Sequence, residues 1–226
     1  MKNIILIDFD RTLMYLYPDK DILLELSKII CDHYNKYIDV NKEYYKMDGY
    51  RSWYKLHQEI NSINITNKEK INALAEELVT NFEIEVIKEN KFMNGVINTL
   101  SVLKENNILG IVSNNSKDAI EYALRKEGIR EYFKVIVGRP NPFDPNKIKP
   151  SPNQLIKAIE LININNYDND SKIYYLGDAV NDILAAKNAS ILSIGIATGK
   201  YTKEELIKAG ANICVECFSE ILDYIS

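Results

Sequence analysis

Four bulky apolar residues in a row, Ile4-Ile5-Leu6-Ile7, stand near the start of the chain and stop at Asp8. A short run of this kind, without polar alternation, predicts a strand covered on both faces. Beyond Leu13 the period changes. Ile22, Leu23, Leu26, Ile29, Ile30 and His33 recur at helical spacing, with Asp19 or Asp21 available as the N-cap. A second helical stretch, around Glu43 to Glu59, is interrupted by Asp48-Gly49. A third is predicted to open on the capping box Thr66-Asn67-Lys68-Glu69 and to continue through Ile71, Leu74, Leu78 and Phe82. No strand is predicted between Thr12 and Phe92, which leaves an all-helical insertion of about eighty residues, compatible with a small bundle.

From residue 93 helices and strands alternate. Gly95 to Lys104 reads as a helix, 108–112 as a strand, and Lys117 to Glu127 as a helix ending near Gly128. Phe133 to Val137 is the next strand. Five of the six prolines then fall within residues 140–152, so Arg139 to Pro150 is expected to be a stiff irregular loop. Ser151-Pro152-Asn153-Gln154 has the form of a capping box with proline at the first helical position. A strand at Ile173 to Leu176, a helix near Val180 to Lys187 and a strand at Ile191 to Ile196 follow. Thr202 and Glu205 are placed to cap another helix, and Ile213 begins a last strand and helix. This alternation predicts an α/β fold, a Rossmann-like parallel sheet with helices on both faces. The expected division is an α/β core of residues 1–13 and 93–226 with a helical cap domain of residues 14–92.

Composition adds mainly exclusions. The 226 residues are 46% hydrophobic and 27% charged, with a net charge of −4. An extended nucleic-acid footprint is not expected from so weakly acidic a chain. No stretch has the apolar length of a membrane span, and the N-terminal apolar run is too short for a signal peptide, so a cytoplasmic location is expected. Of the three cysteines, Cys214 and Cys217 form a C-x-x-C, but no second pair exists and His33 and His57 are remote in sequence. Cys214 is therefore read as a small apolar residue of a late strand.

Candidate chemistry appears where the predicted strands end. The first delivers Asp8 and Asp10, two positions apart, whose side chains share a face in extended chain. The second delivers Ser113-Asn114-Asn115, the loop after the third Lys149, and the fourth Gly177-Asp178 with Asp182 beyond. In an open parallel sheet, ligands bind past the carboxyl ends of the strands. Four carboxylates gathered there require a cation, and an ion preferring oxygen ligands, Mg²⁺, fits. Lys149 and the Ser113 hydroxyl can hold phosphate oxygens while one carboxylate attacks and another moves a proton. Each residue also has a plainer role open to it. Ser113 and Asn114 can cap a helix, Lys149 can be a solvated loop lysine, Gly177-Asp178 can be a turn, and Asp182 can pair with a surface lysine.

Taken together these segments resemble the haloacid dehalogenase superfamily, in its phosphoglycolate-phosphatase-like subgroup with a helical cap. Asp8-Phe9-Asp10-Arg11-Thr12 is similar to the first motif, Ser113-Asn114 to the second, Lys149-Pro150 to the third, and Gly177-Asp178 through Asn181-Asp182 to the fourth. The resemblance implies that Asp8 is a nucleophile forming an aspartyl-phosphate and that Asp10 protonates the leaving oxygen and then activates water. It implies Mg²⁺ bound by Asp8, the Asp10 carbonyl and Asp178, with Asp182 as ligand or anchor, and phosphate held by Ser113, Asn114 and Lys149. Members acting on carbon–halogen or carbon–phosphorus bonds lack the second aspartate of the first motif, so its presence points to phosphate esters. Arg11 departs from the glycine usual at its position. It is expected to lie outward, with contact to substrate or cap as the alternative.

The insertion carries an aromatic cluster of Tyr15, Tyr17, Tyr34, Tyr37, Tyr44, Tyr45, Tyr50, Trp53 and Tyr54. It is read chiefly as the bundle's own core, with stacking on a planar leaving group as the alternative. Arg51 is a further candidate for a substrate anion. The resulting expectation is a phosphatase acting on a small phosphorylated metabolite, with no nucleic-acid or membrane partner and no indication of oligomeric state. A sugar phosphomutase sharing the same covalent step, similar to β-phosphoglucomutase, and a non-catalytic binding protein of the same fold are the alternatives.

Overall fold

Six parallel strands form one sheet in the order β3-β2-β1-β4-β5-β6. They are β1 (Asn3–Ile7), β2 (Asn107–Val112), β3 (Phe133–Val137), β4 (Ile173–Gly177), β5 (Leu192–Ile196) and β6 (Ile213–Val215). The computed structural model describes residues 2–163 and 171–225. β1 lies between β2 and β4 and is buried along its length, which is why its sequence is a continuous apolar run. Its side chains divide by pleat. Ile5 and Ile7 enter one apolar cluster, whereas Ile4 and Leu6 enter another on the opposite face.

The face of Ile4 and Leu6 is covered by α6 (Asn153–Ile162) and α7 (Val180–Asn188), through Leu155, Ala158, Ala185 and Ala186. The other face meets α4 (Val96–Asn106) and α5 (Lys117–Lys126). α8 (Lys203–Ala209) follows β5, and its predicted capping box forms between Thr202 and Glu205. Among the described residues no helix is long and apolar enough to cross a membrane.

Between β1 and β2 the chain leaves the sheet to form α1 (Lys20–Tyr34), α2 (Gly49–Ser62) and α3 (Lys68–Glu89). Of the two caps offered for α1, Asp19 is the one used, accepting from the Asp21 N–H, and the break at Asp48-Gly49 is the start of α2, where Asp48 accepts from the Tyr50 and Arg51 N–H groups. α3 packs on α1 and also on α5. Lys126 of α5 donates to the carbonyls of Ile87, Lys88 and Asn90, satisfying the orphan acceptors at the end of α3. The apolar cluster that begins at Ile5 and Ile7 continues through Phe9 and Leu13 into Trp53, Leu56 and Val79, so insertion and sheet share one core.

Three local expectations need correction. The capping box at Thr66 does not form: Asn67 sits in the left-handed region (φ 63°) and makes no side-chain cap. At Ser151 the box is also absent, because Pro152 is the N-cap and the Gln154 amide instead donates to the carbonyls of Ser113 and Gly138. The last segment is a 3-10 helix, Phe218–Asp223, rather than an α-helix.

Candidate active site

The four polar segments meet at the carboxyl ends of β1, β2 and β4. Asp8 follows β1, and its N–H donates to the Leu176 carbonyl of β4, continuing the ladder for one residue. Asp178 follows Gly177 at the end of β4, and Asp182 lies in the first turn of α7. Lys149 reaches in from the loop after β3. Its ammonium lies 2.7 Å from Asp8 Oδ1 and 2.6 Å from Asp182 Oδ1. The contact to Asp182 is a hydrogen bond, whereas that to Asp8 has an ion-pair distance without hydrogen-bond geometry. Asp182 Oδ2 accepts the Ala179 N–H, and its Oδ1 also accepts from Tyr175 O–H at 3.3 Å. Asp182 thus fixes the lysine, a role more specific than the surface pair that a lone helical aspartate suggests.

Backbone and glycine geometry hold these groups close. A Cβ placed on Gly177 would lie 2.4 Å from the Asp182 carboxylate, and one on Gly199 would lie 2.3 Å from Asp178 Oδ2. Gly177, crowded by three atoms of Asp182, therefore excludes a side chain, whereas a side chain at Gly199 would displace the Asp178 carboxylate. Asp10 points elsewhere, its Oδ1 accepting the Leu16 N–H at 3.0 Å. Its carboxylate is accordingly not among the converging three. Asp8, Asp178 and Asp182 can bring one oxygen each within 4.8 Å of the others, and all three are buried.

The electrostatics follow from this crowding. Burial pushes Asp8 up to about 6, partly offset by Lys149. Burial likewise pushes Asp10 up to about 7, against the hydrogen bond from Leu16. Asp178 rises to about 8 through burial and then through the like charges of Asp182 and Asp8. Burial alone would lower the Lys149 ammonium, but Asp182 and Asp8 outweigh it and raise its pKa. Three buried carboxylates facing a single buried ammonium need further positive charge. An all-oxygen donor set of this kind fits Mg²⁺, and a bound divalent cation would draw the carboxylates back toward ionisation.

After β2, Ser113 O–H donates to Asn115 Oδ1 at 3.1 Å, and Asn114 Oδ1 accepts the Lys149 N–H at 3.2 Å. Neither caps α5, because Ser116 does so, accepting from the Ala119 N–H. The candidates at the strand ends, Asp8, Asp10, Ser113, Asn114, Lys149, Asp178 and Asp182, border one cavity of about 370 Å³. Tyr17, Tyr50, Trp53 and Tyr54 of the insertion form its opposite wall, with Lys200 and Tyr201 at another side. The aromatic cluster is thus divided. Tyr34 is interior, whereas Tyr50, Trp53 and Tyr54, at positions i, i+3 and i+4 of α2, turn one helical face to the cavity. Arg51 falls on another side of that helix, is exposed and does not border the cavity, which removes it as an anion contact there. Arg11 borders the cavity but lays its guanidinium over the Tyr15 ring at 4.9 Å, a contact with the insertion's first residues.

Sequence reasoning missed Glu83 and Arg139, which form a buried network with Asn115 of the cavity wall. The available signal was position: Glu83 lies four residues from both Val79 and Ile87 in the apolar stripe of α3. Cys214 is buried in β6 and Cys217 is exposed, both as free thiols.

A family model described as haloacid dehalogenase-like hydrolase matches residues 5–196. The chain is similar to the phosphoglycolate phosphatase of Agrobacterium fabrum, 28% identical over 153 residues, a match covering 67% of this chain and 62% of that one. It is also similar to the phosphoglycolate phosphatase of Colwellia psychrerythraea, 26% identical over 235 residues, covering 98% and 96%. Among solved structures, a predicted phosphatase from Clostridium acetobutylicum superposes with a TM-score of 0.70 at 21% identity, covering 100% of this chain and 98% of that one. At that identity the last match speaks to the fold alone.

Proposed function

The chain belongs to the haloacid dehalogenase-like hydrolases, and we propose that it is a Mg²⁺-dependent phosphatase cleaving small phosphate monoesters through an aspartyl-phosphate. The observation that carries this reading is the convergence of Asp8, Asp178, Asp182 and Lys149 on one buried point at the strand ends. The phosphatases among its relatives support the same chemistry. In this reading residues 14–92 are the cap, and the protein acts in the cytoplasm.

An Asp8 carboxylate oxygen attacks phosphorus, forming an oxygen–phosphorus bond as the ester oxygen–phosphorus bond breaks. Asp10 gives its proton to the departing alkoxide oxygen. The rise of its pKa to about 7 leaves a proton available near neutrality. Asp10 then takes a proton from water, the resulting hydroxide oxygen joins phosphorus, and the Asp8 bond breaks to release inorganic phosphate. Lys149 and Ser113 hold the non-bridging oxygens, and Asp182 keeps Lys149 in place. Mg²⁺, held by Asp8, Asp178 and the Asp10 carbonyl, would neutralise charge between the attacking carboxylate and the dianionic ester.

The test is turnover of an aryl phosphate with and without Mg²⁺, beside Asp8→Asn. Chelation should abolish turnover, and the variant should lose at least about a thousandfold in kcat. Equal rates for both proteins would remove the catalytic assignment. With a hexose 1-phosphate the expected product is inorganic phosphate, and accumulation of an isomer would transfer the reading to a mutase.

A further inference from the structure

Glu83, in the middle of α3, has no solvent exposure. Four donors converge on its carboxylate. Oε1 accepts Tyr50 O–H at 2.7 Å, Arg139 Nη1 at 2.7 Å and Asn115 Nδ2 at 3.1 Å, and Oε2 accepts the Ser116 N–H at 2.9 Å. Tyr50 belongs to the insertion and bonds onward to Tyr17 O–H at 2.5 Å. Asn115, Ser116 and Arg139 belong to the loops after β2 and β3. One side chain of the insertion therefore grips both the cavity wall and the turn that carries Ser113.

An ionised carboxylate only accepts hydrogen bonds. Glu83 thereby determines which end of the Asn115 amide faces α3: the NH₂ group turns to Glu83 and the carbonyl oxygen turns to Ser113. That oxygen receives the Ser113 O–H, while the Asn115 N–H approaches Ser113 Oγ at 3.4 Å. We propose that Glu83 is a positioning residue, fixing through Asn115 where the Ser113 hydroxyl sits when a phosphoryl group arrives. The proposal rests on the phosphatase reading, which gives Ser113 its task.

Stability alone does not account for this arrangement. Desolvating a buried ion pair offsets most of its attraction, and an apolar pair of similar volume holds a core as well. An apolar pair cannot orient four donors. The Arg139 guanidinium, which also donates to Thr80 Oγ1 and lies over the Trp53 ring at 5.1 Å, sets an opposite charge against the carboxylate in its dry site.

The test is a double-mutant cycle on steady-state turnover of an aryl phosphate, with inhibition by inorganic phosphate measured in parallel. Glu83→Gln replaces one acceptor oxygen by a donor, and Asn115→Ala removes the relay without stranding a buried charge. Each single variant should lose about tenfold or more in kcat and bind inorganic phosphate several-fold more weakly. Glu83→Gln on the Asn115→Ala background should cost less than about threefold further, because the relay is already gone. Wild-type kcat and phosphate inhibition in Asn115→Ala, or full additivity of the two losses, would overturn the proposal. Should Glu83→Gln fail to fold, Asn115→Ala alone decides between these outcomes. Absence of Asp8-dependent turnover in the wild type defeats the phosphatase reading itself, and this inference with it. An active wild type with unaffected variants defeats only the role given to Glu83.

Discussion

At the scale of single residues, the site is a problem of charge held at short range. Lys149 is shared between Asp8 and Asp182 at 2.7 and 2.6 Å, so in the proposed reaction an arriving phosphate would compete with Asp8 for the ammonium while Asp182 retains it. Asp182→Asn should leave Lys149 free to collapse onto Asp8, and kcat should fall by about tenfold to a hundredfold with a smaller change in KM. Stopped assays over a range of substrate concentrations check the split. Gly199 sets the place of Asp178 by having no side chain. Gly199→Ala should displace that carboxylate, lowering turnover by about a hundredfold and raising the Mg²⁺ concentration for half-maximal rate, with little change in far-ultraviolet circular dichroism. Asp8, Lys149, Asp178 and Asp182 were legible as candidates because their spacing after strands is chemical information carried in one dimension, whereas Gly199 was not singled out. What those four touch was less legible: the resemblance implied Asp182 as a ligand or an anchor, and the structure sets it both against Lys149 and among the three convergent carboxylates. Arg11 adopts φ 58°, a left-handed backbone that suits the glycine usual there in the family.

At the scale of elements, strand runs and helical periods predicted nearly every segment, because burial on one or two faces writes directly into hydrophobic spacing. Two of the three failures were at helix starts, the third being the 3-10 form of the last segment. Asn67 and Pro152 begin helices without side-chain caps, and Gln154, predicted to close a box on its own helix, ties two carbonyls of the sheet edge instead. At Gln154 tertiary partners outbid local ones, and a sequence window does not contain them. Glu83 escaped for the same reason, since its four donors lie 32 to 56 residues away in sequence or on another helix. The helices of the insertion also carry a pH dependence. His33 is buried in α1 with its Nε2 2.9 Å from the Ile71 carbonyl, and burial lowers its pKa from the ordinary 6.5. A base depressed in the folded state favours folding above its unfolded pKa, and that contribution is lost as pH falls below about 6.5. Thermal midpoints at pH 7.5 and 5.5 should therefore drop further for the wild type than for His33→Gln, which has no imidazole to protonate.

For the whole molecule, strand order explains why distant segments meet. β1 is flanked by β2 and β4, so the three strand ends carrying Asp8, Ser113 and Asp178 are neighbours although the sequence separates them by up to 170 positions (8 to 178). The alternation of elements made a parallel sheet legible, whereas the order of strands is a packing outcome that periodicity does not encode. Cation binding should register in the stability of the entire fold. Mg²⁺ at a hundred times its dissociation constant adds about 2.7 kcal/mol, roughly 5–10 °C in thermal midpoint for a chain of this size. Calorimetry with and without Mg²⁺ should show that rise for the wild type and none for Asp178→Asn.

The buried bond from α3 to the loops of the sheet also bears on how such a protein can diversify. Helices α1 to α3 have the outward form of a removable attachment, exchangeable for those of a relative with a different substrate. Glu83 forbids a clean transplant: a foreign set of helices would leave Arg139 as a solitary interior cation and Lys126 without the helix end it caps. A chimera should consequently fold only when its donor brings an acid for Arg139 or when that arginine is replaced at the same time. Lineages that exchanged these helices would have had to alter both sides of the seam together.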